Sequence, residues 1–198
     1  MYKRNLQKII TLSLILTTVG WGKAEATINT GTYDMGGTIN LTQRYVNATG
    51  DVTLNATADT TITANNQYIF SSYITKDAVI TVHMNNHDLT TQQGKLIYMY
   101  VTGTQINIDN AHDLAVYSDG NNNLLHGSQN NGKANVQVNH DFILKAGSAK
   151  MLYPAIWFGH GTTLDLAAGH DVKVELLNMN VLRNVDTSNV HITAGNDI

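Results

Sequence analysis

A four-residue motif returns every 25 to 30 positions along this chain. It reads small or polar residue, histidine, aspartate, apolar residue, and it occupies residues 86–89, 111–114, 139–142 and 169–172. A fifth copy, at residues 195–198, has asparagine in the histidine position. The aspartates lie 25, 28, 30 and 26 residues apart. Repeats of this length are typical of solenoids, in which each unit buries its apolar face only by stacking on its neighbours.

A second repeated element is a pair of apolar residues two positions apart, which precedes each aspartate. Residues i and i+2 of a β-strand face the same side, so each pair sends two side chains inward. The pairs are Ile80/Val82, Ile106/Ile108, Val136/Val138, Leu164/Leu166 and Val190/Ile192. A second apolar pair follows the corner, and a third apolar stretch closes each unit. Three short strands per unit of about 27 residues predict an all-β fold, a right-handed parallel β-helix whose coils rise by ~4.8 Å.

The repeat separates the C-terminal coils from an N-terminal cap region. Residues 51–198 are predicted to form the β-solenoid coils, with Asp59 at an altered corner. Residues 27–50 are predicted to be an N-terminal cap region, because an open end of a solenoid exposes unpaired strand edges. The sequence stops directly after the fifth corner, so we expect the array to be truncated at the C-terminus.

Residues 1–26 have the three parts of a secretory signal peptide. Lys3, Arg4 and Lys8 form a positive segment, residues 9–19 are apolar, and residues 24–26 read Ala-Glu-Ala. This pattern predicts cleavage after Ala26 and export. The apolar run is too short to cross a bilayer, which needs ~20 residues, so we expect no transmembrane helix after cleavage.

Composition excludes several classes of function. Cleavage would remove four basic and one acidic residue from totals of 12 and 15, which leaves a net charge of −6. An acidic surface disfavours nucleic acid, anionic lipid and acidic polysaccharide as partners. The chain has no cysteine, so it contains neither disulfides nor thiolate metal sites. Calcium-binding nonapeptides, phosphate-binding loops and nucleophile elbows are missing from the sequence, and no cofactor is expected.

The repeated motif itself has two interpretations. Imidazole and carboxylate groups in columns could bind metal ions along the surface. Alternatively, aspartate accepts backbone N–H bonds at a corner, and the motif is a structural turn ladder. The asparagine in the fifth copy favours the second interpretation, so we assign no metal and no catalytic residue. The predicted ladder consists of His87, Asp88, His112, Asp113, His140, Asp141, His170, Asp171, Asn196 and Asp197.

Aromatic residues are concentrated in the third strand of two coils. Strand alternation buries half of such residues, and the outward half would form a surface for carbohydrate stacking or protein contact. The candidate contact residues are Tyr98, Tyr100, Tyr153 and Trp157.

The units at residues 167–174 and 193–198 carry a family resemblance. They read Ala-Ala-Gly-His-Asp-Val-Lys-Val and Thr-Ala-Gly-Asn-Asp-Ile, and they resemble the AGxDIxV rungs of autotransporter passengers and filamentous-haemagglutinin-like adhesins. The resemblance implies a cell-surface or secreted protein that acts in adhesion or aggregation without catalysis. Its partner would be a surface protein or glycan of a host or neighbouring cell, or a second copy of the chain.

The alternative is a carbohydrate-active β-helix enzyme, such as a polysaccharide lyase or glycosidase. That class needs two or three carboxylates that converge in a groove walled by long loops. The aspartates here recur with the repeat, as structural positions do, and the interruptions between the repeats are modest. Both observations favour the adhesin over the enzyme.

Overall fold

The computed structural model describes residues 22–24, 27–118, 124–128, 131–147, 154–177, 182–185 and 188–198. Within these residues the protein is all-β, without a helix, and its parallel sheets stack as a β-solenoid with roughly 28 residues per turn. The predicted fold class is therefore confirmed. The strands are β1 (Gly22–Ala24), β2 (Gly31–Leu41), β3 (Val46–Asn47), β4 (Val52–Thr63), β5 (Tyr68–Ser72), β6 (Val79–His83), β7 (Leu89–Gln92), β8 (Lys95–Met99), β9 (Gln105–Ala111), β10 (Leu114–Ser118), β11 (Leu125–Gly127), β12 (Lys133–Val138), β13 (Phe142–Gly147), β14 (Ile156–Gly159), β15 (Thr163–Ala168), β16 (Val172–Leu177), β17 (Leu182–Val185) and β18 (Asn189–Ala194).

Each coil contributes one strand to each of three parallel rows. The first row runs β4, β6, β9, β12, β15, β18, and the second runs β4, β7, β10, β13, β16. The third row is a separate six-stranded sheet in the order β3, β5, β8, β11, β14, β17. The first two rows form one sheet because β4 runs straight through the position where later coils turn, so its two halves pair with β6 and β7.

Apolar side chains stack on their equivalents from coil to coil and fill the interior. In the second row, for example, Leu89, Leu114, Phe142 and Val172 are register partners, and all four are buried. Branched and aromatic residues suit these positions because each side chain packs on a neighbour only one strand spacing away. The continuous column replaces the single core of a globular domain.

One of the predicted apolar pairs was displaced by two residues. The register places Ala134 and Val136, rather than Val136 and Val138, beside Ile106 and Ile108. An irregularity in the pairing of β9 with β12 follows, and Val138 then faces Ala111. With this correction the first-strand spacings agree with those of the aspartates to within one residue. The sequence pattern misled because alanine is a weak apolar signal, although it is fully buried here.

In the third row a glycine makes room for an aromatic side chain. Gly127 lies between Met99 and Phe158 in the register of β8, β11 and β14. A Cβ atom on Gly127 would lie 2.9 Å from Phe158 Cδ1 and 2.9 Å from Met99 Cε. The benzyl group of Phe158 therefore occupies interior space that a side chain at position 127 would otherwise fill.

The N-terminal part of the described chain pairs in the same way as the later coils. Between residues 27 and 50, β2 is parallel to β4 and β3 is parallel to β5. Gly22–Ala24, inside the predicted signal peptide, lies beside the end of β2, whereas residues 1–21 and 25–26 lie outside the described residues. In the described chain no helix is both long enough and apolar enough to cross a membrane.

Candidate functional site: the histidine–aspartate ladder and the tyrosine face

The repeated aspartates link each coil to the next. The Oδ1 atom of each one accepts a hydrogen bond from the backbone N–H of the aspartate in the following coil, at 3.0 Å for Asp59, 3.1 Å for Asp88, 2.9 Å for Asp113 and 3.2 Å for Asp141. Asp59, which lies in the uninterrupted strand β4, thus occupies the first ladder position. The ladder satisfies backbone donors at the corner, where the regular strand pairing is interrupted.

The same carboxylate oxygens also contact the histidines. The Nδ1 atoms of His112, His140 and His170 lie 3.0, 2.8 and 2.8 Å from the Oδ1 atoms of Asp88, Asp113 and Asp141 respectively. His87 Nδ1 lies farther from Asp59 Oδ1, at 3.4 Å. Because a carboxylate only accepts, Nδ1 is the donor.

The imidazole rings stack along the axis of the solenoid. The ring centroids of His112 and His140 are 5.3 Å apart with planes at 12°, and those of His140 and His170 are 4.8 Å apart with planes at 9°. The spacing matches the strand separation, so the ring column follows directly from the repeat.

Asp141 is the most enclosed carboxylate of the ladder. It is 7% exposed, and Lys173 Nζ donates to its Oδ2 atom while His170 and the backbone N–H of Asp171 donate to Oδ1. The hydrogen bond from Lys173, with those from His170 and the Asp171 backbone, holds the pKa of Asp141 well below its usual range, although burial opposes this shift. A buried carboxylate needs such partners, because an unpaired charge is costly to desolvate.

The fifth corner keeps the backbone bonds of the ladder. The Asn196 N–H donates to the His170 carbonyl at 2.8 Å, and the Val172 N–H donates to the Asp197 carbonyl at 2.9 Å. The side chain of Asp171 lies against Lys173 at 3.3 Å. The backbone therefore specifies the corner even where histidine is replaced.

Two groups in the ladder have the residue types of a metal site: His140/Asp141/His170 and Asp88/His112/Asp113. In each group the candidate ligand atoms lie within 4.8 Å of one another. The hydrogen bonds described above account for that proximity. The Lys173 ammonium group beside Asp141 would also repel a cation.

A second cluster, which we call the tyrosine face, lies on the outer side of the third row. It contains four tyrosines with a histidine and a tryptophan beside them: Tyr68, Tyr73, Tyr98, Tyr100, His126 and Trp157. Tyr98, His126 and Trp157 are register partners on β8, β11 and β14. Parallel pairing without offset therefore places three aromatic side chains in one outward column.

Tyr98 is at the centre of the tyrosine face. Its ring centroid lies 4.2 Å from that of Tyr68, 5.0 Å from Tyr73 and 6.0 Å from Tyr100. The ring is only 9% exposed, whereas Tyr100 is 45% exposed. Burial is the largest cause that raises the pKa of Tyr68 to about 12 and that of Tyr98 further, and hydrogen bonding to the Tyr73 hydroxyl acts in the same direction. The phenols are therefore neutral hydrogen-bonding groups.

Two cations lie over tyrosine rings. The guanidinium carbon of Arg44 is 3.7 Å from the Tyr73 ring centroid, and Lys95 Nζ is 4.3 Å from that of Tyr68. Both distances are within the range of cation–π attraction. Burial lowers the pKa of Lys95.

His126 is buried on the other side of Tyr98. It is 8% exposed, stacks on Trp157 at 4.5 Å and meets the Tyr98 ring edge-on at 4.8 Å. Its Nε2 atom is buried and has no hydrogen-bond partner. Burial, together with the nearby Lys95 charge, lowers the pKa of His126 to about 4. The imidazole is therefore neutral at physiological pH.

Of the four predicted contact residues, the structure brings Tyr98 and Tyr100 together and places Trp157 in the same column. Tyr153 lies outside the described residues. The sequence interpretation missed five residues of this surface: Arg44, Tyr68, Tyr73, Lys95 and His126. A signal for His126 existed, because it follows Leu124 and Leu125 as Tyr98 follows Leu96 and Ile97.

Comparison with known proteins gave no match, whether with protein-family models, with curated proteins or with solved structures.

Proposed function

We propose that this chain is the β-helical passenger of an autotransporter-type adhesin, an exported surface protein that acts in adhesion or aggregation without catalysis. The observation that carries the proposal is the tyrosine face. It combines half-exposed and buried aromatic rings, phenol hydroxyls and two cations on a rigid parallel sheet. Aromatic residues and arginine are the groups enriched where proteins bind their partners.

The state of the carboxylates supports binding rather than hydrolysis. Asp88, Asp113 and Asp141 each accept two hydrogen bonds from the next coil. Glu175 forms an ion pair with Lys145 at 2.6 Å. A glycosidase needs carboxyl groups that face a substrate, whereas these groups hold coils or side chains together.

Export is proposed from the sequence of the first 26 residues. A test of this part uses the full chain with a C-terminal epitope tag, expressed in a Gram-negative host. Cleavage after Ala26 predicts a periplasmic or extracellular product that begins at Thr27, and intact-mass measurement identifies it. An uncleaved product that still carries residues 1–26 and is found in the cytoplasm contradicts export.

Adhesion is tested with beads coated with the purified product. We expect the beads to attach to bacterial or epithelial cells, and we expect Tyr100→Ser to reduce attachment. Tyr100 is a suitable position because its exposure makes a folding defect small. Tyr117→Ser, on the second row of strands, is the matched control. Attachment that is absent, or equal for both variants, contradicts the proposal.

A further inference from the structure

We infer that the tyrosine face binds an acidic saccharide, that is, a sugar that carries a carboxylate group. The inference rests on the proposed function, since it names the class of ligand that the adhesive surface takes. It differs from the expectation based on net charge, which disfavours acidic polysaccharides for the surface as a whole.

The charge on the tyrosine face is opposite in sign to the net charge of the chain. The predicted mature chain has a net charge of −6, yet the tyrosine face carries Arg44 and Lys95. Neither cation is within ion-pair distance of a carboxylate among the described residues. Arg44 also lies 5.8 Å from the Tyr68 ring centroid, so both cations adjoin the same ring. Two uncompensated cations around one phenol ring complement a single anionic group.

The donor groups of the two cations suit a carboxylate. The guanidinium carbon of Arg44 lies 3.7 Å from the Tyr73 ring centroid, and a guanidinium group offers N–H donors that match a carboxylate as a bidentate pair. Lys95 is partly buried, and burial strengthens its attraction to an anion. A carboxylate could form two parallel hydrogen bonds with the planar guanidinium of Arg44 and an ion pair with the compact ammonium of Lys95.

The hydroxyls and the exposed ring of the tyrosine face favour a saccharide over an acidic peptide. The hydroxyls of Tyr68, Tyr73 and Tyr98 interact with one another, which gives a cluster of groups that both donate and accept. Tyr100 adds a ring that is 45% exposed, against which the C–H face of a sugar can pack. A sugar ring carries hydroxyls on its edge and apolar patches on its faces, so it matches this combination.

The test is calorimetric titration of the processed chain at low salt with three acidic probes: trigalacturonate, sialyllactose and a hyaluronan tetrasaccharide. Their neutral counterparts are the methyl ester of trigalacturonate, lactose and a chitin tetrasaccharide. We expect at least one acidic probe to bind about tenfold more tightly than its neutral counterpart, the factor for one charge-assisted hydrogen bond. The preference should decrease as salt is added, because the attraction is screened.

Variants locate the site. Lys95→Gln and Arg44→Gln should each remove most of the preference for the acidic probe, and Arg44→Lys should give an intermediate affinity because it keeps the charge but loses the fork. Lys133→Gln, at an exposed lysine of β12, is the matched control and should bind as the unmodified chain does. Circular dichroism confirms that each variant is folded.

Two results overturn the inference. One is that no acidic probe binds more tightly than its neutral counterpart when each is titrated to about 10 mM, which is tenfold above a weak Kd of about 1 mM. The other is that Lys95→Gln and Arg44→Gln bind like Lys133→Gln. Binding of hexaglutamate without binding of any saccharide would instead assign the face to acidic peptides. In each case bead attachment that depends on Tyr100 would still support the adhesin, so the two proposals fail separately.

Discussion

His126 provides a sharp test of the packing in the tyrosine face. The imidazole is 8% exposed, its pKa is lowered from 6.5 to about 4, and the Lys95 charge lies nearby. In the unfolded chain the same group would titrate at its ordinary value. Between these two pKa values the unfolded chain therefore binds more protons than the folded protein, and stability decreases as the pH falls.

The expected magnitude follows from the two pKa values. With 6.5 in the unfolded chain and about 4 in the folded protein, His126 alone should lower the free energy of unfolding by about 2 kcal/mol at pH 5 and about 3 kcal/mol at pH 4, relative to pH 7. Above about pH 7 the contribution vanishes, because both states are then neutral. The loss is thus confined to the window between the two values.

Urea denaturation of the processed chain, followed by far-ultraviolet circular dichroism at pH 7, 5 and 4, measures this loss. The matched variant is His126→Phe, which keeps an aromatic ring against Trp157 and Tyr98 but cannot be protonated. Other titrating groups affect both proteins, so the difference between them isolates His126. The stability of the unmodified chain should fall more steeply than that of His126→Phe as the pH is lowered from 7 to 4. If both fall equally steeply, His126 is not buried as described and the reasoning is refuted.

Three further predictions concern the interior and the ladder. Gly127→Ala should destabilise the protein by about 2 kcal/mol through overpacking against Phe158 and Met99; Phe158→Leu in the same chain should restore part of this loss in urea denaturation, and equal stability of the single and double variants would contradict the packing. Asp141→Asn should lower the free energy of unfolding by about 2 kcal/mol more than Asp113→Asn does, because it removes a charge-assisted hydrogen bond with Lys173 and because Asp113 is more exposed. Because the pKa of Asp141 is depressed, this difference in stability should persist down to about pH 4, the ordinary pKa of aspartate, and shrink at lower pH. Equal losses of stability for the two variants at pH 7 would show that Lys173 contributes nothing. Gly169→Ala should cost about 3 kcal/mol, since its Cβ would overlap the Asn139 carbonyl oxygen of the preceding coil; a urea midpoint unchanged from that of the parent chain would show that the corner can shift.

The solenoid was predictable from the sequence, because each repeat unit carries the same pattern of inward and outward residues and therefore forms one coil. Any unit that places Leu114 inward must place Phe142 and Val172 inward as well, since all three stack in one column. The ladder was predictable for the same reason. The His-Asp pair seen at His140 and Asp141 recurs in each unit, and an aspartate at a corner typically accepts hydrogen bonds from backbone N–H groups.

Only the tertiary structure determined the tyrosine face. Arg44 precedes β3, Tyr73 follows β5 and Lys95 begins β8. The three residues therefore lie on different coils, and they share no motif. Exposure could not be inferred either: Tyr98 and Tyr100 are both outward aromatic candidates in the sequence, yet neighbouring rings cover Tyr98 and leave Tyr100 half in solvent. Period-2 alternation fixes which side of a strand a residue faces, but contacts from other coils decide whether that side is covered.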